Sequence, residues 1–333
     1  MKAVLTKEVG GPETVVVENI DTPAPGKGEV LVDVAACAIN YPDTLMIRDL
    51  YQFKPERPYS PGGEISGTIS AIGEGVEGWQ VGDRVLSGIG SGGLREQVAV
   101  EAGRLFKVPE GIDLVESSAL LMTYGTMIHA LKDRGDIKPG DTVLVLGAAG
   151  GVGLASIELA KAYGAKVVAA VSSEEKARVA KDAGADETVV YERAPFDKDA
   201  SKKLAGDFKN AVGPNGADIV VDIVGGDYSE PALRSIAWEG RFLVIGFPAG
   251  IAKMPLNLTL LKSCDIRGVF WGAFAAREPQ RNAQNIAELF EFWKDGKISP
   301  QISETFSLDD AGKAIEKLDN RQAIGKLVVV MDK

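Results

Sequence analysis

The sequence predicts an α/β chain of two domains, a β-rich domain and a doubly wound parallel sheet. Three observations predict it: the length, a change of pattern near Tyr124, and six apolar runs that alternate with helical spacing. At 333 residues the chain is about two domains long, taking roughly 150 residues for each. With 45% hydrophobic and 25% charged residues it has the globular average, so a real core is expected and disorder is a poor description.

Up to about residue 120 the chain reads as short β-branched runs at 15–17, 30–36, 64–72, 84–87 and 97–100, separated by Gly and Pro turns. Such runs bounded by turn residues argue for a mostly β domain. Beyond Tyr124 the order is a strand at 141–146, a helix at 152–163, a strand at 166–171 and a helix at 174–183. A strand at 188–191, a polar stretch, a strand at 218–223, a helix near 230–236 and strands at 241–246 and 264–271 follow. Continuously apolar strands alternating with helices mean a parallel sheet covered on both faces. The tail adds an amphipathic helix at 282–293, a second helix at 308–318 and a final strand at 326–331. The expected boundaries are 1–124 for the β-rich domain, 125–273 for the parallel sheet and 274–333 for a return to the first.

Composition removes several classes of function. The chain has 37 basic against 47 acidic residues, a net −10, which disfavours nucleic acid because backbone binding needs a positive footprint. Cys37 and Cys264 are the two cysteines, too few for a disulfide framework or a four-cysteine zinc site. His129 is the single histidine, which excludes mechanisms needing two; without a neighbouring ligand it reads as a packed or surface residue. The first eight residues turn charged and no apolar run approaches about 18 residues. The expectation is a cytoplasmic protein, with no membrane span.

The most informative segment runs from Thr142 to Glu158. Gly147, Gly150 and Gly153 stand three apart where an apolar strand gives way to a helix, with Ala149, Gly151 and Val152 between them. That spacing suits a tight turn, a close backbone approach to a pyrophosphate and close helix–strand packing. The helix N-terminus then offers free amides and partial positive charge. An NAD site places an acid about 20 positions beyond this loop; here Ser172 and Ser173 occupy that place, with Lys176 just after. A hydroxyl and a cation suit a 2′-phosphate, so NADPH is the expected cofactor.

Six ordered motifs carry a resemblance: Ala38-Ile-Asn40-Tyr-Pro-Asp43, Pro61-Gly-Gly-Glu64, the 75–85 stretch ending Gly82-Asp83-Arg84-Val85, Lys138-Pro-Gly-Asp141, the glycine loop, and Gly325-Lys326. Over essentially its whole length the chain resembles the medium-chain dehydrogenase/reductase superfamily, in its zinc-independent NADPH:quinone oxidoreductase branch. The resemblance implies a GroES-like catalytic domain, a Rossmann nucleotide-binding domain, a cleft between them and a homodimer along the edge of the nucleotide sheet. It also shows two departures from the zinc-dependent members. Asn40 stands where they have a metal-binding Cys, and Gly63 where they have His. No metal is therefore expected, and the acceptor must already be electrophilic. The branch usually carries Gln where this chain has Glu158, which reads as a substitution on the helix surface.

By the same resemblance Asn40 lies beside the nicotinamide and donates an amide hydrogen bond, Tyr51 is a proton donor or an apolar cleft wall, and Thr126 faces the nicotinamide. Tyr191 lies near the adenosine phosphate. Val224, Gly246 and Phe247 follow the fourth and fifth strands at the ligand-binding edge. Phe270 and Trp271 match a segment near the nicotinamide and the dimer edge, and Lys326 is a further cofactor contact. Asp43 and Glu64 read as structural hydrogen bonders. The expected activity is hydride transfer from NADPH to a quinone or another α,β-unsaturated carbonyl. The alternatives are an enoyl-thioester reductase, for which Arg48, Lys54 and Arg57 offer a basic rim, and a non-catalytic NADPH-binding protein. The expected partner is a small electrophilic carbonyl compound.

Overall fold

The structure is a computed structural model and describes residues 1–331. The chain divides into two compact units: Met1–Met122 with the segment from Pro300 onward, and Thr123–Ser299. In chain order the first unit contributes β1 (Lys2–Thr6), β2 (Val15–Asn19), β3 (Glu29–Ile39), β4 (Glu64–Ile72), β5 (Arg84–Gly88), β6 (Gln97–Glu101) and β7 (Leu105–Lys107). The second contributes β8 (Thr142–Leu146), β9 (Lys166–Val171), β10 (Glu187–Val190), β11 (Ala217–Asp222), β12 (Ile236–Val244) and β13 (Asp265–Gly268). Back in the first unit come β14 (Ile302–Ser307) and β15 (Lys326–Val330).

In the first unit β1 and β2 form an antiparallel ribbon, and the main sheet runs β14-β15-β3-β4-β5-β7 with β6 also paired to β3. Its core gathers Val32, Ile65, Ile69, Leu94, Ile315, Leu327 and Val329. β15 is legible as a continuous apolar run, Leu-Val-Val-Val, whereas β14, Ile-Ser-Glu-Thr-Phe-Ser, is largely polar and half exposed. Sequence periodicity therefore misses that strand; it forms because β15 gives it a parallel neighbour.

In the second unit six strands run in the order β10-β9-β8-β11-β12-β13, every pairing parallel. This is the 3-2-1-4-5-6 order of a dinucleotide-binding sheet, which reverses direction between its first and fourth strands. Val143–Leu146 and Val167–Ala170 are fully buried, as strands covered on both faces must be. The polar stretch after β10 becomes the helix Lys198–Val212, whose Leu204, Phe208 and Val212 face this core.

Three boundaries differ from expectation. The strand expected at 264–271 is only β13, an exposed edge strand, because it has one hydrogen-bonded neighbour and Trp271 already opens the helix Trp271–Arg277. The helix near 230–236 ends at Leu233, and Ile236 starts β12. The return to the first unit comes at Pro300 rather than 274. The helix Pro279–Lys294 stays with the second unit because its polar residues are claimed there: Asn282 accepts from the Trp271 indole at 3.0 Å, Asn285 donates to Asp133 at 2.8 Å, and Glu288 accepts from the Tyr163 hydroxyl at 2.8 Å.

Two glycines in helices of the second unit make opposite demands. A Cβ on Gly153 would fall 2.4 Å from the Gly147 carbonyl oxygen and 2.6 Å from Ala148 backbone atoms, whereas one on Gly206 would meet open space. Gly153→Ala is expected to destabilise by about 1–3 kcal/mol through overpacking, and Gly206→Ala to stabilise by about 0.5–1 kcal/mol through helix propensity. Urea unfolding of the two variants checks this, and equal effects would overturn the packing argument.

Candidate functional site

The nucleotide loop is built at the carboxyl edge of the second unit's sheet. β8 ends at Leu146, Gly147 takes φ +70° to turn the chain, and Gly150 caps the helix Gly151–Ala162. The first amide to close a helical bond is that of Leu154, to Gly150. The amides of Gly151, Val152 and Gly153 therefore remain open, as the first turn of a helix leaves them. A Cβ on Gly150 would touch only the Gly147 oxygen, at 3.7 Å, so the face above the loop is unobstructed. Open amides, clear approach and helix polarity fit a pyrophosphate.

Adjacent loops are knitted to this one by a buried acid. Asp222, at the end of β11, accepts from the Val224 amide at 3.0 Å, the Gly225 amide at 2.8 Å and the Ser229 hydroxyl. Burial raises its pKa while these donors oppose the rise. The Val224 carbonyl in turn accepts from Ala249 at 2.9 Å, and the Gly246 amide donates to the Asp222 carbonyl at 3.3 Å. Gly225 packs on Phe247, which is half exposed. Val224, Gly246 and Phe247 thus lie together on the loops after β11 and β12, and the residue sequence reasoning missed is Asp222. Its signal was an acid ending an apolar strand just before a glycine pair.

At the end of β9 no acid appears. Ser173 caps the next helix and accepts from the Lys176 amide at 3.3 Å, while Lys176 Nζ reaches back toward Ser172 Oγ at 3.5 Å. Tyr191 follows β10, its amide donating to Val171 at 2.9 Å and its ring tilted against Tyr228. A hydroxyl and a cation where an acid would take ribose hydroxyls fit a 2′-phosphate.

In the first unit the chemistry centres on Glu64, which is fully buried. One carboxylate oxygen accepts from the Met122 amide at 2.9 Å; the other accepts from Asn40 Nδ2 at 3.0 Å and faces Lys326 Nζ at 3.5 Å. Lys326 also donates to Asn40 Oδ1 at 2.6 Å and to the Ile39 carbonyl at 3.3 Å. Asn40 gives its second amide proton to Ala38 at 3.2 Å. Two expectations change here. The amide of Asn40 is committed to protein acceptors rather than presented to a substrate, and Lys326, with three protein acceptors, is an internal counter-ion rather than an open cofactor contact. Zinc does not fit these donors: beside one carboxylate stand an amide and an ammonium, and Gly63 offers no ligand.

Asp43 lies at the start of the helix Tyr41–Met46, accepting from the Asn40 amide at 2.8 Å and the Gly62 amide at 3.0 Å. Burial, outweighing these donors, raises its pKa to about 6. Tyr51 is partly buried, and burial with the nearby Asp43 charge raises its phenol, so it keeps its proton at neutral pH. The expected basic rim is not assembled from all three residues. Arg48 pairs with Asp319 at 2.8 Å and Arg57 with Asp49 at 2.8 Å.

Back in the second unit, Glu158 is buried, not on the helix surface. It accepts from the Tyr124 hydroxyl at 2.7 Å and the Ser299 amide at 2.9 Å. Tyr124 precedes Gly125, whose Cβ would meet the Trp271 indole at 3.0 Å, so Thr126 and Trp271 are brought into one neighbourhood. Phe270 is exposed. His129 is packed, stacked on Phe274 at 3.9 Å with Nδ1 2.8 Å from Asp133.

Residues 26–110 match the alcohol dehydrogenase GroES-like domain family and residues 151–290 the zinc-binding dehydrogenase family. A quinone oxidoreductase-like protein 2 homolog of Nematostella vectensis is 37% identical over 332 residues, covering 98% of this chain and 88% of that one. A mycobacterial structure solved with NADPH is 31% identical at TM-score 0.91, covering 99% of this chain and all of the other. Escherichia coli quinone oxidoreductase, also solved with NADPH, is 26% identical at TM-score 0.90 with the same coverage. A GroES-like domain joined to a Rossmann sheet of this order defines the two-domain dehydrogenase class. The chain belongs to the medium-chain dehydrogenase/reductase superfamily, in its quinone oxidoreductase branch.

Two outcomes follow from the first unit's acids. Lys326→Met strands the Glu64 charge and should cost on the order of 3–5 kcal/mol, most of it recovered by adding Glu64→Gln; a double variant as unstable as the single one in urea would refute the pairing. For Asp43, the folded state holds a proton between about pH 4 and 6 that the unfolded chain has released. Its stabilisation is therefore full at low pH and lost as pH rises through about 6. Relative to Asp43→Asn, the wild-type protein should lose ground in chemical denaturation between about pH 4 and 6, and a difference independent of pH would contradict the raised pKa.

Proposed function

We propose that the protein reduces a quinone or another electron-poor α,β-unsaturated carbonyl with NADPH. One observation carries the reading: at the end of β9 the position of the ribose-binding acid is held by Ser172 with Lys176 behind it, beside a glycine loop with three open amides. Support comes from the relatives, two of which are solved with NADPH.

Bound NADPH supplies the hydride. The loop amides hold the pyrophosphate, Ser172 and Lys176 take the 2′-phosphate, and Thr126 with Trp271 borders the nicotinamide. Tyr51 keeps its phenolic proton and donates it to the oxygen of the reduced acceptor. Lys326 is consumed by Glu64 and Asn40 and gives the acceptor no electrophilic help, so the acceptor must be reactive by itself. The pairing of Arg48 and Arg57 favours this acceptor class over an acyl thioester with a phosphorylated carrier.

NADPH oxidation with a benzoquinone, a small enone and crotonyl-CoA tests the proposal. Turnover is expected with the first two, and Tyr51→Phe should lower kcat for the enone on the order of 10²-fold, with the KM for NADPH unchanged. Tight NADPH binding without turnover on any acceptor would establish a binding protein instead.

The same reading includes a homodimer along β13. Among the described residues this edge strand has a strand neighbour on one side only, and Leu256, Leu260 and Leu261 of the same unit are at least 62% exposed. Sedimentation should give a dimer, converted toward monomer by Leu260→Asp; a monomeric wild-type protein would reject the interface. The two free cysteines are buried, which suits a reducing cytoplasm, and no helix among the described residues is long and apolar enough to cross a membrane.

A further inference from the structure

One cation beside the expected phosphate position has no assigned role. β9 and β10 pair in parallel with Val171 opposite Val190, so the residues after each strand leave the sheet side by side: Ser172 after one, Tyr191, Glu192 and Arg193 after the other. The second exit is pinned. The Tyr228 hydroxyl accepts from the Ala194 amide at 2.9 Å and donates to the Glu192 carbonyl at 3.4 Å, and its ring meets those of Tyr191 and Phe196. The Phe196 amide adds a bond to Asp227 at 3.4 Å. Arg193 is thus an exposed side chain on an anchored backbone.

Across from it Lys176 leans toward Ser172. Among the described residues neither Lys176 nor Arg193 has a carboxylate within ion-pair distance. The two feel each other: after burial, the Arg193 charge is the next cause lowering the Lys176 pKa, opposed by Glu175. Two like charges held together without a counter-ion are electrostatically unfavourable, and a dianion between them would relieve both.

We infer that Arg193 and Lys176, with the Ser172 hydroxyl, form a two-cation seat for a phosphate monoester, and that Arg193 is a determinant of NADPH over NADH. This rests on the proposed NADPH site and adds the residue that discriminates within it. Lys176 reaches the phosphate from the helix after β9 and Arg193 from the loop after β10, so the phosphate is gripped from two elements. Arg193 binds through planar guanidinium geometry that lysine cannot reproduce.

The test is calorimetric binding of 2′,5′-ADP, 5′-AMP, NADPH and NADH to the intact wild-type protein and to Arg193→Gln, Arg193→Lys and Lys176→Gln, with no turnover involved. Arg193→Gln should weaken 2′,5′-ADP and NADPH about tenfold, equivalent to 1.4 kcal/mol, and leave 5′-AMP and NADH unchanged. Arg193→Lys should recover part of the loss. Equal weakening of all four ligands, or no weakening of any, would overturn the role of Arg193. A wild-type protein that binds 2′,5′-ADP no better than 5′-AMP would instead refute the NADPH reading itself, and the inference with it.

Discussion

The buried carboxylate of Glu64 is the constraint around which the first unit is arranged. An ionised group removed from water must be paired and fully hydrogen-bonded or it unfolds its surroundings. Its partners come from three distant parts of the chain: Asn40 at the end of β3, Met122 where the chain passes to the second unit, and Lys326 at the start of β15. Satisfying one charge therefore fixes the first strands, the exit and the returning tail relative to one another. The sheet pairing of β15 with β3 places Lys326 opposite the Asn40 turn, so the ladder and the ion pair specify the same register.

Buried acids play the corresponding part elsewhere. Asp43 accepts the Asn40 and Gly62 amides, Asp222 accepts those of Val224 and Gly225, and Glu158 accepts the Ser299 amide. Each accepts from amides in turns or loops, where the backbone has no ladder partner, and an unpaired buried donor is expensive. This explains how a chain with net −10 can be acidic without being acidic only on its surface: part of the excess serves as internal acceptors. It also explains why Glu158 differs in consequence from a surface glutamate, since one of its oxygens holds both the Tyr124 hydroxyl and the Ser299 amide.

What the sequence made legible was local. The glycine loop could be read because its requirements, a positive φ at Gly147 and no side chain at Gly153, act over a few residues. The parallel strands could be read because burial on both faces makes them continuously apolar. The long-range partners could not: Glu64 and Lys326 are 262 positions apart and Glu158 and Ser299 are 141 apart. No periodicity connects them, so Glu158 reads as a surface residue and Lys326 as a cofactor contact until the fold closes. β14 was hidden for a related reason. Its polar alternation gives it no signal of its own, and its existence depends on a neighbour supplied by β15.

The same network constrains reactivity. In a metal-dependent dehydrogenase a divalent cation polarises the substrate oxygen because its coordination shell keeps a position open. Here the positive charge among the corresponding residues is an ammonium whose three protons meet Asn40, Ile39 and Glu64. A charge neutralised by a buried carboxylate and saturated with acceptors projects little field toward a third group. On the proposed function polarisation comes instead from a neutral donor, the Tyr51 phenol, which burial and the Asp43 charge keep protonated. A neutral donor suffices for an enolate or hydroquinone oxygen, whose charge is already delocalised, whereas a localised alkoxide lies so much higher in energy that it calls for a strong counter-charge. On that proposal the closed ammonium site and the protonated phenol push in one direction, toward acceptors whose own conjugation delocalises the arriving electron pair.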